Sequence, residues 1–152
     1  MRNPRLRRLD WLYTDRPLYF ITASTRQRRR LLDQEAVHRA LVAFFEKGQE
    51  QGVLVGRYVL MPDHLHRFVA IASRGSRLAK WMQILKVTLA RTLRGQGSAS
   101  PFWQKGFFDQ VLRSAESYRL KWEYVRQNPV RAGLVKRAEH WPYQAEVFRL
   151  EP

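Results

Sequence analysis

The sequence predicts an α+β fold: an antiparallel sheet covered on one face by two helices, with one more helix near the C-terminal end. Two observations predict it. Segments rich in aromatic and β-branched residues, at 18–25, 53–60 and 64–71, read as strands. Between and after them, apolar residues recur at helical spacing. The resulting order, strand-helix-strand-strand-helix-strand-helix, fits an antiparallel sheet with its first two helices packed on one side.

The elements follow in turn. Residues 1–16 are a basic lead-in carrying Trp11 and Tyr13. "LYFITAST" (18–25) is the first strand, and "RQRRRLL" after it is a loop with four arginines. Val37, Leu41, Phe44 and Phe45 place a helix within 34–51, which Gly52 ends. "VLVGRYVL" (53–60) and "HLHRFVAI" (64–71) are strands joined through Met61-Pro62-Asp63, because proline cannot sit in a central ladder. "SRGS" (73–76) is a turn, with Ser76 placed to cap the next helix. That helix, 77–94, shows Leu78, Trp81, Leu85 and Leu89 on one stripe and Lys80, Lys86, Arg91 and Arg94 on others. After the flexible loop 95–101, a short strand falls at 107–112 and a helix at 115–128, stopped by Pro129. The remainder reads as a tail (129–152) with a glycine turn at Gly133; the whole of 1–152 is one domain.

Composition narrows the function. Net charge is 28 − 13 = +15, which points to a polyanionic partner, nucleic acid before an anionic membrane surface. With no cysteine, thiolate metal sites, disulfides and cysteine nucleophiles are excluded. No apolar run approaches the roughly 20 residues that span a bilayer, and no signal-type apolar segment follows the basic start. The expectation is a soluble, cytoplasmic protein that faces nucleic acid.

Two constellations carry candidate chemistry. On a strand, alternate residues share a face, so His64 and His66 point to one side and Leu65 to the other. Such a pair either holds one divalent cation or is a pair of half-buried, hydrogen-bonded histidines. The remaining histidines, His38 and His140, fall elsewhere, so a third ligand would be an oxygen group, which suits Mg²⁺ or Mn²⁺. In the last helix Leu120, Tyr124 and Asn128 share one face, while Tyr118, Trp122 and Val125 form a separate packing stripe. Tyr124 is thus left on a more polar face, with an amide one turn on that could complete the metal site.

"LYFITAST", "YVLMPDHLH", "FWQKGFFDQVLR" and "YVRQNPVRAGLV", spread in this order over residues 18–135, resemble the IS200-like single-tyrosine transposases with an HUH (His-hydrophobe-His) motif, and most closely their REP-associated branch. The resemblance implies a ferredoxin-like fold and metal-dependent strand transfer on single-stranded, hairpin-forming DNA through a covalent 5′-phosphotyrosine. It implies that His64 and His66 bind the metal, that Asn128 is its third ligand, where relatives commonly place Gln, and that Tyr124 is the nucleophile. Relatives of this branch act as monomers. Two positions depart from the pattern: Asp63 stands where Asn is usual, and Arg67 where an apolar residue is usual. In phase with Leu65, Arg67 should point into the helix-covered face, where a charge is costly.

Arg5, Arg7, Arg8, Arg26, Arg28, Arg29, Arg30, Lys86, Arg91 and Arg94 are candidates to grip the DNA backbone, and Trp11, Phe102 and Trp103 to stack on bases. Competing readings are a non-catalytic single-strand binder, a nuclease that uses water as nucleophile, and a partner-binding structural protein.

Overall fold

The computed structural model describes residues 18–71 and 78–150. The basic lead-in with Arg5, Arg7, Arg8, Trp11 and Tyr13, and the Ser76 cap, lie outside the described residues. Five antiparallel strands form one sheet: β1 (Leu18–Ser24), β2 (Val53–Leu60), β3 (His64–Ile71), β4 (Phe108–Leu112) and β5 (Gln144–Glu146). Their order is β4-β1-β3-β2-β5, so β3 is the central strand. The helices are α1 (Glu35–Gly48), α2 (Leu78–Gly95), α3 (Ala115–Arg126) and the single turn α4 (Asn128–Arg131).

Both faces of the sheet are covered. On one, Ile21 and Ala23 of β1, Leu65 and Val69 of β3 and Val55, Tyr58 and Leu60 of β2 pack against Val37, Leu41 and Phe45 of α1 and Trp81, Leu85 and Leu89 of α2. On the other, Leu18, Phe20, Leu54, Phe68 and Leu112 meet Tyr118 and Val125 of α3 and Trp141, Phe148 and Leu150 from the C-terminal segment. Sequence periodicity identifies the first core. The second is built by a segment that reads as a tail. Trp141 Nε1 donates to the Leu60 carbonyl at 3.0 Å, and β5 pairs with the outer edge of β2.

That pairing depends on a bulge. Val55 and Tyr58 of β2 oppose Val69 and Arg67 of β3, three residues' advance against two. The extra residue keeps Val55 and Tyr58 on the same face. It also turns the Gly56 carbonyl and the Val55 carbonyl outward, where Val147 N and Phe148 N donate to them at 3.1 and 3.0 Å. Gly56 itself has no room for a side chain: a Cβ there would lie 2.6 Å from Leu150 Cδ1.

Helix ends obey local chemistry. Glu35 and Lys47 sit at the dipole-matched ends of α1, and Gly52 takes the left-handed conformation (φ 77°) that closes the short 3-10 turn after it. Ser114 caps α3, its hydroxyl accepting from Ser117 N at 3.0 Å. α3 stops at Arg126, two residues before the expected end, and Pro129 starts the new turn α4, a position where its missing N–H is no loss. Among the described residues no helix is long and apolar enough to cross a membrane.

Arg67 is where its phase puts it, fully buried on the α1/α2 face. Its Nη2 donates to the sulfur of Met82, its Nη1 reaches the Leu65 carbonyl at a long 3.4 Å, and its guanidinium lies 5.9 Å from the Trp81 ring centre. Nε has no partner among the described residues. Burial pushes the guanidinium down to about 9, which leaves it cationic at neutral pH. A buried cation met by a thioether and a ring is under-compensated. Arg67→Met, which keeps the length and removes the charge, should therefore raise stability by about 2 kcal/mol, or roughly 4–8 °C in Tm for a chain of this size. A lower Tm in thermal unfolding would show that the guanidinium contributes more than its burial costs.

Candidate metal and nucleophile site

The site begins at a rigid corner. Met61 N donates to the His64 carbonyl at 2.8 Å, closing the turn between β2 and β3. Leu31 N and Leu32 N both donate to the Pro62 carbonyl, at 2.8 and 2.9 Å, and Thr25 N donates to that of Asp63 at 2.9 Å. The corner is thus tied to the segment after β1, and the two histidines start β3 from a fixed point.

His64 and His66 share the α3 face, with ring centres 4.5 Å apart. Each has its Nδ1 engaged. Asp63 Oδ1, an acceptor when ionised, accepts a hydrogen bond from His64 Nδ1–H at 2.7 Å, which leaves the Nε2 lone pair for other use. His66 Nδ1 and Thr22 Oγ1 are 2.7 Å apart; with the hydroxyl accepting, the Nε2 of His66 has a free lone pair as well. The His66 ring stacks on Phe20, 5.2 Å between centres, and Phe20 and Thr22 lie on the same face of β1. Asp63 is fixed in turn by Arg28, whose Nε donates to Oδ2 at 2.8 Å. Arg28 and Gln27 both take φ 55°, two consecutive left-handed residues without a glycine, a strained turn that aims Arg28 at Asp63.

Both rings are held neutral. Burial dominates for each and lowers the value; for His64 the Asp63 carboxylate opposes this, and Arg28 adds to it. For His66 burial, helped by His64, Arg67, Lys121 and Arg28, brings it to about 3. Burial would raise Asp63, but the hydrogen bonds from His64 and Arg28 outweigh it and the carboxyl sits below its usual range.

Asn128 reaches this pair from α4. Its Nδ2 lies 3.2 Å from His64 Nε2, donating to the lone pair, while its Oδ1 accepts from Arg131 Nη2 at 3.2 Å. The expectation placed the amide oxygen toward the histidines. The nitrogen faces them instead, because an imidazole lone pair takes a donor and a guanidinium takes an acceptor. Half a turn about the last side-chain bond exchanges the two. Tyr124, 64% exposed, stands one turn before Asn128, with Leu120 (67%) one turn earlier, while Tyr118 and Val125 are buried on the packing stripe. The Arg131 guanidinium lies 3.9 Å above the Tyr124 ring centre. A cavity of about 380 Å³ opens here, lined by Arg28, Arg30, Asp63, His64, Asn128 and Arg131 among others.

Among the described residues there is no cluster of three or more His, Cys, Asp or Glu that could hold a cation. The donor set at this corner is two neutral imidazoles and an amide. Imidazole nitrogen favours borderline ions, so with the amide oxygen turned inward and waters this set fits Mn²⁺ better than Mg²⁺, whose preference is for oxygen ligands. His38 is engaged elsewhere, with its Nε2 2.6 Å from the Tyr58 hydroxyl, and His140 is exposed in the turn 138–140.

The predicted basic residues divide. Arg28 and Arg30 reach the cavity, and Arg26 is exposed nearby in sequence. Arg29 donates to the carbonyls of Ala99 and Pro101, at 2.8 and 3.0 Å, and Lys86 to those of Gln104 and Gly106. These two hold loops. Lys86, Arg91 and Arg94 belong to α2, on the far face of the sheet. Phe102 is buried and Trp103 Nε1 donates to the Lys86 carbonyl at 2.9 Å, so both pack rather than project. Sequence reasoning missed Thr22, Phe20 and Arg131. The first two needed the β1–β3 register, while Arg131 was visible in "NPVRAGLV" but had no assigned role.

Comparison with known proteins adds independent findings. A family model described as "Transposase IS200 like" matches residues 16–128. The REP-associated tyrosine transposase of Escherichia coli (strain K12) is 25% identical over 127 residues, covering 82% of this chain and 73% of that protein. A solved structure of a REP-associated tyrosine transposase bound to a REP hairpin superposes with a TM-score of 0.67 at 21% identity, covering 84% of this chain and 75% of that one. The likeness to that structure establishes the fold.

The buried neutral histidines predict acid sensitivity. Burial depresses His66 from 6.5 to about 3, so the stability tied to the neutral ring is whole above pH 6.5 and is lost as pH falls toward 3. Between pH 7 and pH 5 urea unfolding should lose about 2 kcal/mol that His66→Gln does not lose. A His66→Gln profile falling just as steeply would assign the sensitivity to other groups.

Proposed function

The chain belongs to the IS200-like transposase family, and from that premise we propose that it is a single-strand DNA transesterase that cuts and rejoins hairpin-forming DNA through Tyr124. The observation that supports this most is the meeting of His64, His66 and Asn128 at one corner of the sheet, beside an exposed tyrosine and an arginine-lined cavity. The hairpin partner is carried over from the structural neighbour, which was solved with a REP hairpin. Action as a monomer is part of the proposal, carried over from the resemblance to the REP-associated branch.

In the proposed reaction the Tyr124 hydroxyl oxygen attacks a backbone phosphorus. The new O–P bond forms as the bond to the 3′ oxygen breaks, and the tyrosine remains joined to the 5′ phosphate. The 3′ oxygen leaves with the electron pair and gains a proton, while the phenol proton passes to solvent. Because the bond energy stays in the phosphotyrosine, rejoining by a 3′ hydroxyl needs no nucleotide cofactor.

His64 Nε2, His66 Nε2 and the Asn128 oxygen would hold a Mg²⁺ or Mn²⁺ ion, after the amide turns. Bound there, the ion would supply charge neutralisation at a phosphate oxygen. Asp63 and Thr22 engage the Nδ1 edges of the two rings, which leaves each Nε2 as the atom free to ligate. Low ring pKa values keep the ligands unprotonated through neutral pH. Arg28 and Arg30 give the strand's phosphates a basic path to the site.

Incubation with a 5′- and 3′-labelled REP-type hairpin and Mn²⁺ should give a protease-sensitive covalent adduct with wild type and none with Tyr124→Phe. Cleavage without adduct, unchanged in Tyr124→Phe, would assign a water nucleophile. Binding without cleavage would assign a non-catalytic binder. His64→Ala and His66→Ala should each lower adduct formation by at least about 10²-fold, with hairpin affinity by anisotropy within a few-fold of wild type. Adduct formation at wild-type rate in both would remove the histidines from the reaction.

A further inference from the structure

We propose that Arg131 is a working part of the reaction, holding Tyr124 with the face of its guanidinium and taking the scissile phosphate with its edge; the proposal rests on the tyrosine reading above. Tyr124 projects from α3 into solvent, on the side of the helix away from its packing stripe. Among the described residues, the side chain set against its ring is Arg131, whose guanidinium lies 3.9 Å above the ring centre. This is close for such a pair, well inside the roughly 6 Å within which a cation and a ring attract.

A stacked guanidinium still has its N–H groups in plane, pointing past the ring edge. One of them, on Nη2, donates to Asn128 Oδ1 at 3.2 Å. Arg131 therefore touches both the proposed nucleophile and the proposed third ligand. It is also exposed and lines the same cavity as His64, Arg28 and Arg30. The cavity's carboxylate, Asp63, is already bonded to Arg28 and His64. A phosphodiester entering it meets cationic donors and no free anion. When the Asn128 amide turns its oxygen toward His64, it gives up the Arg131 bond, and Nη2 becomes a donor beside the tyrosine. α4 is a single turn, Asn128–Arg131, with Pro129 in its first positions, so Arg131 follows Tyr124 by seven residues across the corner between α3 and α4.

The phosphate half of this idea predicts a substrate effect that a purely structural arginine would not show. In single-turnover adduct formation, Arg131→Ala should be slower by about 10²–10³-fold on a normal phosphodiester. Hairpin affinity by anisotropy should stay within about threefold, since many cations share the backbone. On a hairpin with a neutral methylphosphonate at the scissile position, the Arg131→Ala penalty should shrink to under about tenfold, because the charge that Arg131 meets is gone. Arg131→Lys, which keeps charge but not the flat fork, should recover less than about a tenth of the lost rate. In metal-free protein, inorganic phosphate followed by NMR should bind more weakly to Arg131→Ala than to wild type. Wild-type adduct rates in Arg131→Ala would overturn the proposal, as would a penalty equal on both substrates or phosphate binding unchanged by the substitution. A wild type that forms no Tyr124 adduct while its Arg131 still binds phosphate would fail the tyrosine reading itself, and the proposal with it.

Discussion

The pleat of β3 sends successive side chains to opposite sides of a sheet that is packed on both, and the rest of the site follows from that alternation. His64 and His66 go to the α3 face, Leu65, Arg67 and Val69 to the α1/α2 face. A slip of one residue would exchange the two sets. β3 is the central strand, hydrogen-bonded on both edges, and its starting corner is tied by Pro62 and Asp63 carbonyls to the segment after β1. Register is therefore specified from both neighbours and from one end. The same pairing that fixes it puts Thr22 opposite His66, so one register both turns the rings toward the α3 face and gives His66 Nδ1 its partner.

Electrostatics at this corner work through burial more than through charge pairing. The protein carries +15, yet the two imidazoles next to the arginines are neutral because they are desolvated, and neighbouring cations push the same way. Asp63 is the single carboxylate of the group, held ionised by two donors. In this setting the replacement of the more usual Asn by Asp has a clear effect. A carboxylate accepts from His64 without ambiguity, and it recruits Arg28, which an amide oxygen would hold less strongly. Arg67, on the other face, has no such arrangement, and nothing in the structure explains its presence there.

Much of this was legible in the chain itself. The strands 53–60 and 64–71 and the helix around Leu78 to Leu89 follow from period and composition. So does the distinction between buried Tyr118 and exposed Tyr124, because the stripe of Tyr118, Trp122 and Val125 already supplies the packing face of the helix and Tyr124 lies off it. What the sequence could not carry was pairing. Thr22 is an ordinary strand threonine until the register with β3 is known. β5 is three residues long, and nothing in "QAE" marks it as a strand; its existence depends on the bulge at Gly56 and on the space that glycine leaves for Leu150. The helix end at 128 was misplaced by two residues because the chain keeps helical dihedrals through Gln127 before Pro129 opens a new turn. The orientation of the Asn128 amide follows from Arg131, a residue that looked like one more surface charge.

The cover over the α3 face has a bearing on how such a protein is made. β2 meets its last partner across 89 residues, as between Arg57 and Glu146, and the aromatic and aliphatic groups that seal the face arrive after α3 and α4. A chain emerging from the ribosome can assemble the β1–β3 ladder and its α1/α2 cover early, since those contacts are nearer in sequence. The histidines would then stand on a folded sheet before the tyrosine helix is clamped over them. Long-range closure of this kind is slow relative to local folding. The α3 face would then be completed late, when Leu150 settles into the space at Gly56 and the second core closes.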